Sequence, residues 1–138
     1  MAERRIFLDT SGIFAWINAR DPHHELMLSL PHRADVRLIV TDYIIDEACT
    51  LFVARNIAHR RQDILQLIRN SRIVRLEWIG QETFWQAWEW LMKFQDQDFS
   101  FTDCTSFALM KRLDLTEAAT NDTHFTTAGF HPLLTNPA

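Results

Sequence analysis

The sequence has 138 residues, of which 47% are hydrophobic, with 10 Phe and 5 Trp against 3 Gly and 4 Pro. This length predicts a single domain over residues 1–138 with a substantial core, and the composition excludes a disordered, fibrous or loop-rich chain. The net charge of −4 disfavours non-specific coating of nucleic acid, and the apolar runs are too short to span a bilayer.

The N-terminal residues and the cysteine content predict a cytoplasmic protein. Residues 1–5 lead directly into an apolar run, without the longer apolar segment and small-residue cleavage site of a signal peptide. Cys49 and Cys104 are too few for a disulfide framework, and we interpret both as small core residues. A reducing compartment suits such a chain.

Apolar patterns in the first 40 residues predict two strands, each followed by a helix. The first strand covers 6–8 and leads into a helix over about 12–18. A short second helix is expected after Asp21, with Asp21 as its N-cap and Pro22 at its first helical position. The second strand covers 36–40.

The helix after the second strand places one acid at the edge of its buried face. Thr41 is expected to be its N-cap. At about 100° per residue, Glu47 lies beside the apolar face, where a carboxylate can face a cleft, and Asp46 lies on the far side in water. The apolar face consists of Ile44, Ile45, Ala48, Leu51 and Phe52.

The segment 53–75 is strongly basic. It contains six Arg and one acidic residue, so its charge is about +5 and the remainder of the chain carries about −9. Within it, Arg60 and Arg61 are candidates for phosphate contacts, although such a charge run is equally typical of a solvated helix face. The helix of this segment, over about 59–70, is expected to bury Ile64, Leu65 and Ile68.

A third strand over 73–79 precedes a helix rich in aromatic residues. Their helical spacing predicts one core-facing side, with Trp90 and Phe94 partly off that side and able to cover a partner surface. The residues predicted to face the core are Phe84, Trp85, Trp88, Leu91 and Met92.

The last third of the chain begins with its most acidic stretch, 96–103. Strands that alternate with helices throughout the sequence predict a parallel, doubly wound α/β sheet. The remaining predicted elements are a helix from Asp103 through Leu113, a strand over 115–120, a turn at 121–123, a helix over 124–128 capped by Gly129, and an edge strand over 131–134.

Four acids follow strands or begin helices, and a parallel sheet with short connections brings such positions to one edge. Acids gathered there repel one another, and Mg²⁺ or Mn²⁺, which prefer oxygen ligands, would offset that repulsion. Helix N-termini near two of them would also stabilise negative charge. The four are Asp9, Glu47, Asp103 and Asp122.

Each acid also has a purely structural explanation. Asp9 and Asp122 can begin turns, and Glu47 can be an ordinary residue at the rim of a helix. The spacing Ser100-x-x-Asp103 matches a capping box, in which the acid satisfies a backbone amide. From the residues alone, both interpretations stay open.

Together, four segments resemble the PIN domain, and within it the VapC-type toxin ribonucleases of type II toxin–antitoxin systems. The resemblance extends over nearly the whole chain and implies a three-layer α/β fold, with a central parallel sheet flanked by helices. It places the family's acidic quartet on the four acids above. The matching segments are Ile6–Ser11, Thr41–Glu47, Ser100–Cys104 and Ala119–Phe125.

The resemblance also implies a metal-dependent endoribonuclease. Mg²⁺ or Mn²⁺ would be held by Asp9 and Asp103, with Ser11 and Thr120 as supporting contacts. The cation would polarise a phosphate oxygen and lower the pKa of a bound water, so that hydrolysis leaves a 5′-phosphate and a 3′-hydroxyl. The implied substrate is a tRNA or an rRNA, the implied partners are a second copy in a homodimer and a small cognate antitoxin, and no membrane is involved.

Three alternatives differ from this interpretation. A catalytically silent PIN-like module would bind RNA or protein without cleaving it. A HAD-like phosphatase also places a nucleophilic Asp after its first strand, but needs a second acid two residues later, where this chain has Ser11. A zinc site is disfavoured because His124 and His131 have no Cys partners at a suitable spacing.

Overall fold

A computed structural model describes residues 3–135, in which five parallel strands form one sheet. Between the strands the chain forms helices, as the α/β prediction requires. The sheet order is β3-β2-β1-β4-β5, so the first strand lies at the centre. The strands are β1 (Arg4–Leu8), β2 (Val36–Thr41), β3 (Val74–Glu77), β4 (Glu117–Ala119) and β5 (His131–Pro132).

Helices flank this sheet. They are α1 (Thr10–Ile17), α2 (His24–Ser29), α3 (Asp42–Ala54), α4 (Arg61–Asn70), α5 (Gln81–Lys93), α6 (Phe101–Arg112) and α7 (His124–Thr127), with one 3₁₀ turn at Ala58–Arg60. Thr41 caps α3 as predicted, since its side chain accepts a hydrogen bond from the backbone of Ile44. Crossing a bilayer would need a longer and more apolar helix than any found within residues 3–135.

The central strand shows that both faces of the sheet are covered. Ile6, Phe7 and Leu8 are consecutive and all essentially inaccessible to solvent. Because successive side chains of a strand point to opposite faces, this pattern requires packing on both sides. The predicted three-layer fold is confirmed.

Gly12 lets α1 approach the sheet closely. A Cβ atom at this position would lie 2.3 Å from the carbonyl oxygen of Ala119 in β4. No side chain fits there, so glycine permits the close contact between α1 and the end of β4. That contact brings the start of α1 beside Thr120.

Three helical predictions are wrong. The helix expected from Asp21 begins at His24 instead, because the Asp21 carboxylate accepts a hydrogen bond from the backbone of His23 and forms a local turn. Leu65 in α4 was expected to be buried and is 45% exposed. The third error concerns the orientation of α5.

In α5 the face expected to contact the core is largely in water. Trp85, Trp88 and Met92 are exposed, whereas Trp90 packs against α6 with its ring 5.4 Å from that of Phe107. Aromatic residues occur around most of this helix, so their spacing did not determine which side would be buried. We call Trp85, Trp88 and Met92 the outer face of α5.

Candidate active site

Asp9 lies where β1 ends, and its side chain is surrounded by hydroxyl groups. Thr120 donates a hydrogen bond to Asp9 Oδ2 at 2.7 Å, and Ser11 donates to the same oxygen at 3.2 Å. The Ser11 and Thr120 oxygens are themselves 3.1 Å apart. Both predicted supporting residues therefore contact the first acid, and they fix the orientation of its carboxylate.

The carboxyl of Asp9 is only 5% exposed. Its pKa is raised to about 7, chiefly by burial and in smaller part by the charges of Glu47 and Asp103, while the hydrogen bond from Thr120 opposes the shift. The negative charge of Asp9 is thus poorly compensated by the protein itself.

Glu47 faces the same cleft from the second turn of α3. Thr10 donates a hydrogen bond to Glu47 Oε1 at 2.6 Å. Burial raises the pKa of Glu47, and the charges of Asp103 and Asp122 add to this effect. Sequence analysis missed Thr10, although a hydroxyl residue directly after an acid at the end of a strand is a usable signal.

Asp103 forms the predicted capping box, and its carboxylate also lies close to the other acids. It forms a capping box with Ser100: its backbone donates to Ser100 Oγ at 2.9 Å, and its Oδ2 accepts from the Ser100 backbone at 3.1 Å. Burial nevertheless raises the pKa of Asp103, and the charge of Asp122 contributes in the same direction. The cap therefore holds the carboxylate in place beside other acids.

Asp122 follows β4 in a turn held by Thr120. The Asp122 backbone donates to Thr120 Oγ1 at 3.0 Å, and Asp122 Oδ1 accepts from the backbone of His124 at 2.9 Å. Asp9, Glu47 and Asp122 line one open cleft of about 400 Å³. Asp103 lies beside this cleft, close enough for its charge to raise the pKa values of Asp9 and Glu47. We call this region the acidic cleft; its lining includes Asp9, Thr10, Ser11, Glu47, Leu51, Asn121 and Asp122.

His124 also belongs to this group, although the sequence analysis set it aside. Its Nδ1 lies 3.3 Å from Asp103 Oδ2 and 3.5 Å from Asp122 Oδ1. The ring packs edge-on against Phe99, with centroids 5.3 Å apart. The sequence analysis considered His124 only together with Cys partners, whereas its polar neighbours in the structure are carboxylate oxygens.

The two candidate RNA-binding arginines lie away from the acids. Arg60 forms an ion pair with Asp63 and donates to the carbonyl oxygen of Ile17 at 3.3 Å, at the far end of α1. Because α1 has eight residues, Ile17 lies about 12 Å along the helix axis from the start of α1 beside Asp9. Arg61 Nε donates to the carbonyl of Ala58 at 2.9 Å.

The donor set of the acidic cleft fits a divalent cation. One ligand atom from each of Asp103, Asp122 and His124 can lie within 4.8 Å of the others. Two more carboxylates, Asp9 and Glu47, have pKa values raised by burial and mutual repulsion, so a positive charge would relieve both effects. Carboxylate oxygens suit Mg²⁺ and Mn²⁺, and imidazole nitrogen suits transition metals.

Comparison with known proteins identifies the family. The PIN domain family model matches residues 6–130. The chain belongs to the PIN domain family. It is also 34% identical over 125 residues to the 23S rRNA-specific endonuclease VapC20 of Mycobacterium tuberculosis, covering 91% of this chain and 95% of that protein. The resemblance to VapC-type toxins is confirmed, and the HAD-like alternative is excluded.

Solved structures support the same fold. The crystal structure of M. tuberculosis VapC20, described as a sarcin-ricin loop cleaving toxin, superposes with a TM-score of 0.80, 34% identity and coverage of 91% of this chain and 95% of that one. VapBC2 from Rickettsia felis, solved with a promoter DNA fragment, matches in fold at a TM-score of 0.65 and 12% identity, with coverage of 95% and 96%.

Proposed function

We propose that this PIN domain protein is a toxin-like endoribonuclease that hydrolyses RNA phosphodiesters with the help of Mg²⁺ or Mn²⁺. The observation that carries the proposal is the convergence of Asp9, Glu47, Asp103 and Asp122 on one cleft in a VapC-like chain. The burial of Asp9 at this cleft is unfavourable for its charged form, because its pKa is raised to about 7 despite the hydrogen bonds that it accepts.

The proposed roles follow from the hydrogen bonds. Asp9 and Asp103 hold the cation, since Thr120 and Ser100 fix their carboxylates in place. When bound, the cation supplies charge stabilisation for the phosphodiester and for the attacking water. Glu47, held by Thr10, accepts a proton or orients water at the opposite wall of the cleft.

The proposed substrate is a structured rRNA loop rather than a tRNA. The argument is similarity: the relative with 34% identity is described as specific for 23S rRNA. Exposed bases in a folded loop are the usual targets of sequence-specific RNA recognition. Arg60 and Arg61 remain candidates for phosphate contacts outside the cleft. Arg55, the C-cap of α3, is a further candidate, and its guanidinium lies 5.8 Å from the centroid of the Phe14 ring in α1.

We propose a homodimer through the outer face of α5. Trp85, Trp88 and Met92 are separated by three and four residues and form one apolar surface. With the two-fold axis perpendicular to α5 the two copies run antiparallel, and Glu82, which pairs with Arg112 of its own chain, would lie near Lys93 in the last turn of the other copy. These opposite charges favour that pairing.

A small cognate antitoxin is the second proposed partner, and the cytoplasm is the proposed compartment. Proteins of similar fold have been solved as VapBC assemblies. Cys49 and Cys104 are free thiols, which suits a reducing compartment where RNA is present.

The deciding experiment is cleavage of total cellular RNA by purified protein, with Mg²⁺, with Mn²⁺ and with excess chelator. We expect a single cut in the large rRNA that gives two discrete fragments, a 5′-phosphate on the downstream fragment, and no cleavage with chelator. Equal cleavage with chelator would refute metal dependence. Cleavage of tRNA but not rRNA would refute the proposed substrate, and a well-folded wild type without any cleavage would support the silent module instead.

A further inference from the structure

We propose that His124 is a metal ligand, and that its nitrogen gives the acidic cleft a preference for Mn²⁺ over Mg²⁺. The inference rests on the proposed metal-dependent function and extends it to a residue outside the acidic quartet. Mn²⁺ accepts imidazole nitrogen more readily than Mg²⁺, which is a hard cation that prefers oxygen.

The first argument is the distance between donor atoms. Nδ1 of His124 lies 3.3 Å from Asp103 Oδ2 and 3.5 Å from Asp122 Oδ1. Charge-assisted hydrogen bonds between nitrogen and carboxylate are ~2.7–2.9 Å long, so the contact with Asp103 is a long hydrogen bond and the contact with Asp122 is a loose ion pair. With metal–ligand bonds of ~2.0–2.2 Å, neighbouring ligand atoms around one ion are ~3.0–3.5 Å apart, which is the spacing found here.

The second argument is that all three donors are held in place by other parts of the protein. The Ser100 backbone fixes Asp103 Oδ2, and the backbone of His124 itself fixes Asp122 Oδ1. Phe99 supports the imidazole edge-on at 5.3 Å. A pre-positioned set of two carboxylates and one imidazole loses little conformational entropy on binding an ion.

The third argument is access. The His124 side chain is 33% exposed and that of Asp122 is 34% exposed, whereas that of Asp103 is 12% exposed. An ion entering from solvent therefore meets His124 and Asp122 before the buried acids.

The test uses Mn²⁺ alone as the probe and pulsed electron paramagnetic resonance of the bound ion as the readout. We expect wild-type protein to show the ¹⁴N coupling of a directly bound imidazole, and the variant His124→Asn to lose it.

Asn places an oxygen near the position of Nδ1, so this variant keeps a hard donor. The variant His124→Phe keeps the ring contact with Phe99 and removes the donor. The control His131→Asn changes an exposed histidine of β5 and should retain the coupling.

Titration calorimetry with Mn²⁺ and with Mg²⁺ supplies the second readout. Removing a ligand should cost at least as much as removing a residue that supports one, so we expect the preference for Mn²⁺ to fall by ~10-fold or more in His124→Asn. Bound Mn²⁺ without ¹⁴N coupling in the wild type, or coupling that persists in both His124 variants, would overturn the ligand assignment alone. A wild type that binds no Mn²⁺ would overturn the proposed metal-dependent function together with it.

Discussion

The acidic cleft and the outer face of α5 place side chains in opposite kinds of unfavourable environment. In the cleft, Asp9 is a carboxylate that is 5% exposed, and its pKa rises to about 7. On α5, Trp85 is 58% exposed although its large ring favours burial. Burial of the charged Asp9 costs folding free energy, which a bound cation would recover, whereas exposed Trp85 leaves apolar area that a partner surface could bury.

The two regions differ in how firmly their side chains are held. Hydroxyl groups of Thr10, Ser11 and Thr120 orient the carboxylates of the cleft through hydrogen bonds. On α5, Trp88 contacts Phe101 with centroids 5.1 Å apart, and this contact has no fixed polar geometry. The cleft is therefore organised for a ligand with directional bonds, whereas the outer face of α5 suits a partner recognised by apolar area.

The largest expected effect is on catalysis. Asp9→Asn keeps the shape of the side chain but removes the charge that would hold the cation, so we expect RNA cleavage to fall by about a thousandfold or more. The control Asp46→Asn makes the same change on the exposed side of α3 and should cleave normally. Wild-type turnover by purified Asp9→Asn would refute the assignment of the quartet.

The next effect is on the stability of the metal-free protein. Asp9 has a pKa of 3.8 without the fold and about 7 within it, so the folded state binds more protons between these values. The contribution of Asp9 to the free energy of unfolding should therefore be most favourable below about pH 4 and should fall as the pH rises to about 7. At about 1.4 kcal/mol per pKa unit, this amounts to roughly 4 kcal/mol.

Urea unfolding with chelator at several pH values measures this effect. We expect Asp9→Asn to be more stable than the wild type near neutral pH, with the difference shrinking as the pH falls. If the free energies of unfolding of the two proteins changed in parallel with pH, burial of the Asp9 carboxyl would have no such cost in stability. Adding Mn²⁺ should raise the stability of the wild type much more than that of the variant.

A smaller effect is expected at the outer face of α5. Trp85→Glu should raise the dimer dissociation constant by about thirtyfold, or about 2 kcal/mol, because it places a charge at the centre of the proposed interface. Analytical ultracentrifugation measures this directly, with Leu65→Glu on α4 as a control of similar exposure. A monomeric wild type, or equal weakening by both variants, would exclude this interface.

Thr10→Val tests the hydrogen bonds of the cleft at nearly constant shape. Losing the hydroxyl that donates to Glu47 should slow cleavage by about tenfold, since a hydrogen bond to a charged group contributes roughly 1.5 kcal/mol. That bond lowers the pKa of Glu47, so the pH profile of the variant should also move to higher pH. Thr50→Val, whose hydroxyl contacts the backbone of Asp46, is the matched control.

The smallest effect concerns the basic segment. A plot of log binding constant for RNA against log salt concentration has a slope set by the number of phosphate contacts. Arg60→Ala and Arg61→Ala should each reduce the magnitude of that slope by about one, if each arginine contacts one phosphate. Arg5→Ala is the control, because Arg5 lies near the start of β1, at the opposite end of the strand from Asp9. Salt slopes equal to that of the wild type would remove both arginines from the proposed RNA contacts.

Local patterns were enough to predict much of the fold and the position of the acids. Strand β1 and helix α3 follow from short apolar runs, and Thr41 was recognised as a cap from its place before α3. The capping box of Asp103 was visible in a four-residue spacing. These features depend on neighbours close in sequence, which is why sequence alone could predict them.

Contacts between distant segments could not be predicted in this way. His124 and Asp103 are 21 residues apart, and only the packing of α6 against the chain after β4 brings them together. The orientation of α5 was likewise decided by Trp90 packing against Phe107 and Phe130.

The sequence by itself determined the alternation of strands and helices and placed four acids at the ends of strands or the starts of helices, because hydrophobic period and turn chemistry are local properties. Only the tertiary structure decided which side of α5 is exposed, which hydroxyls orient Asp9 and Glu47, and that His124 joins the acids. These outcomes depend on free energies of packing and charge between segments that meet only in the folded chain.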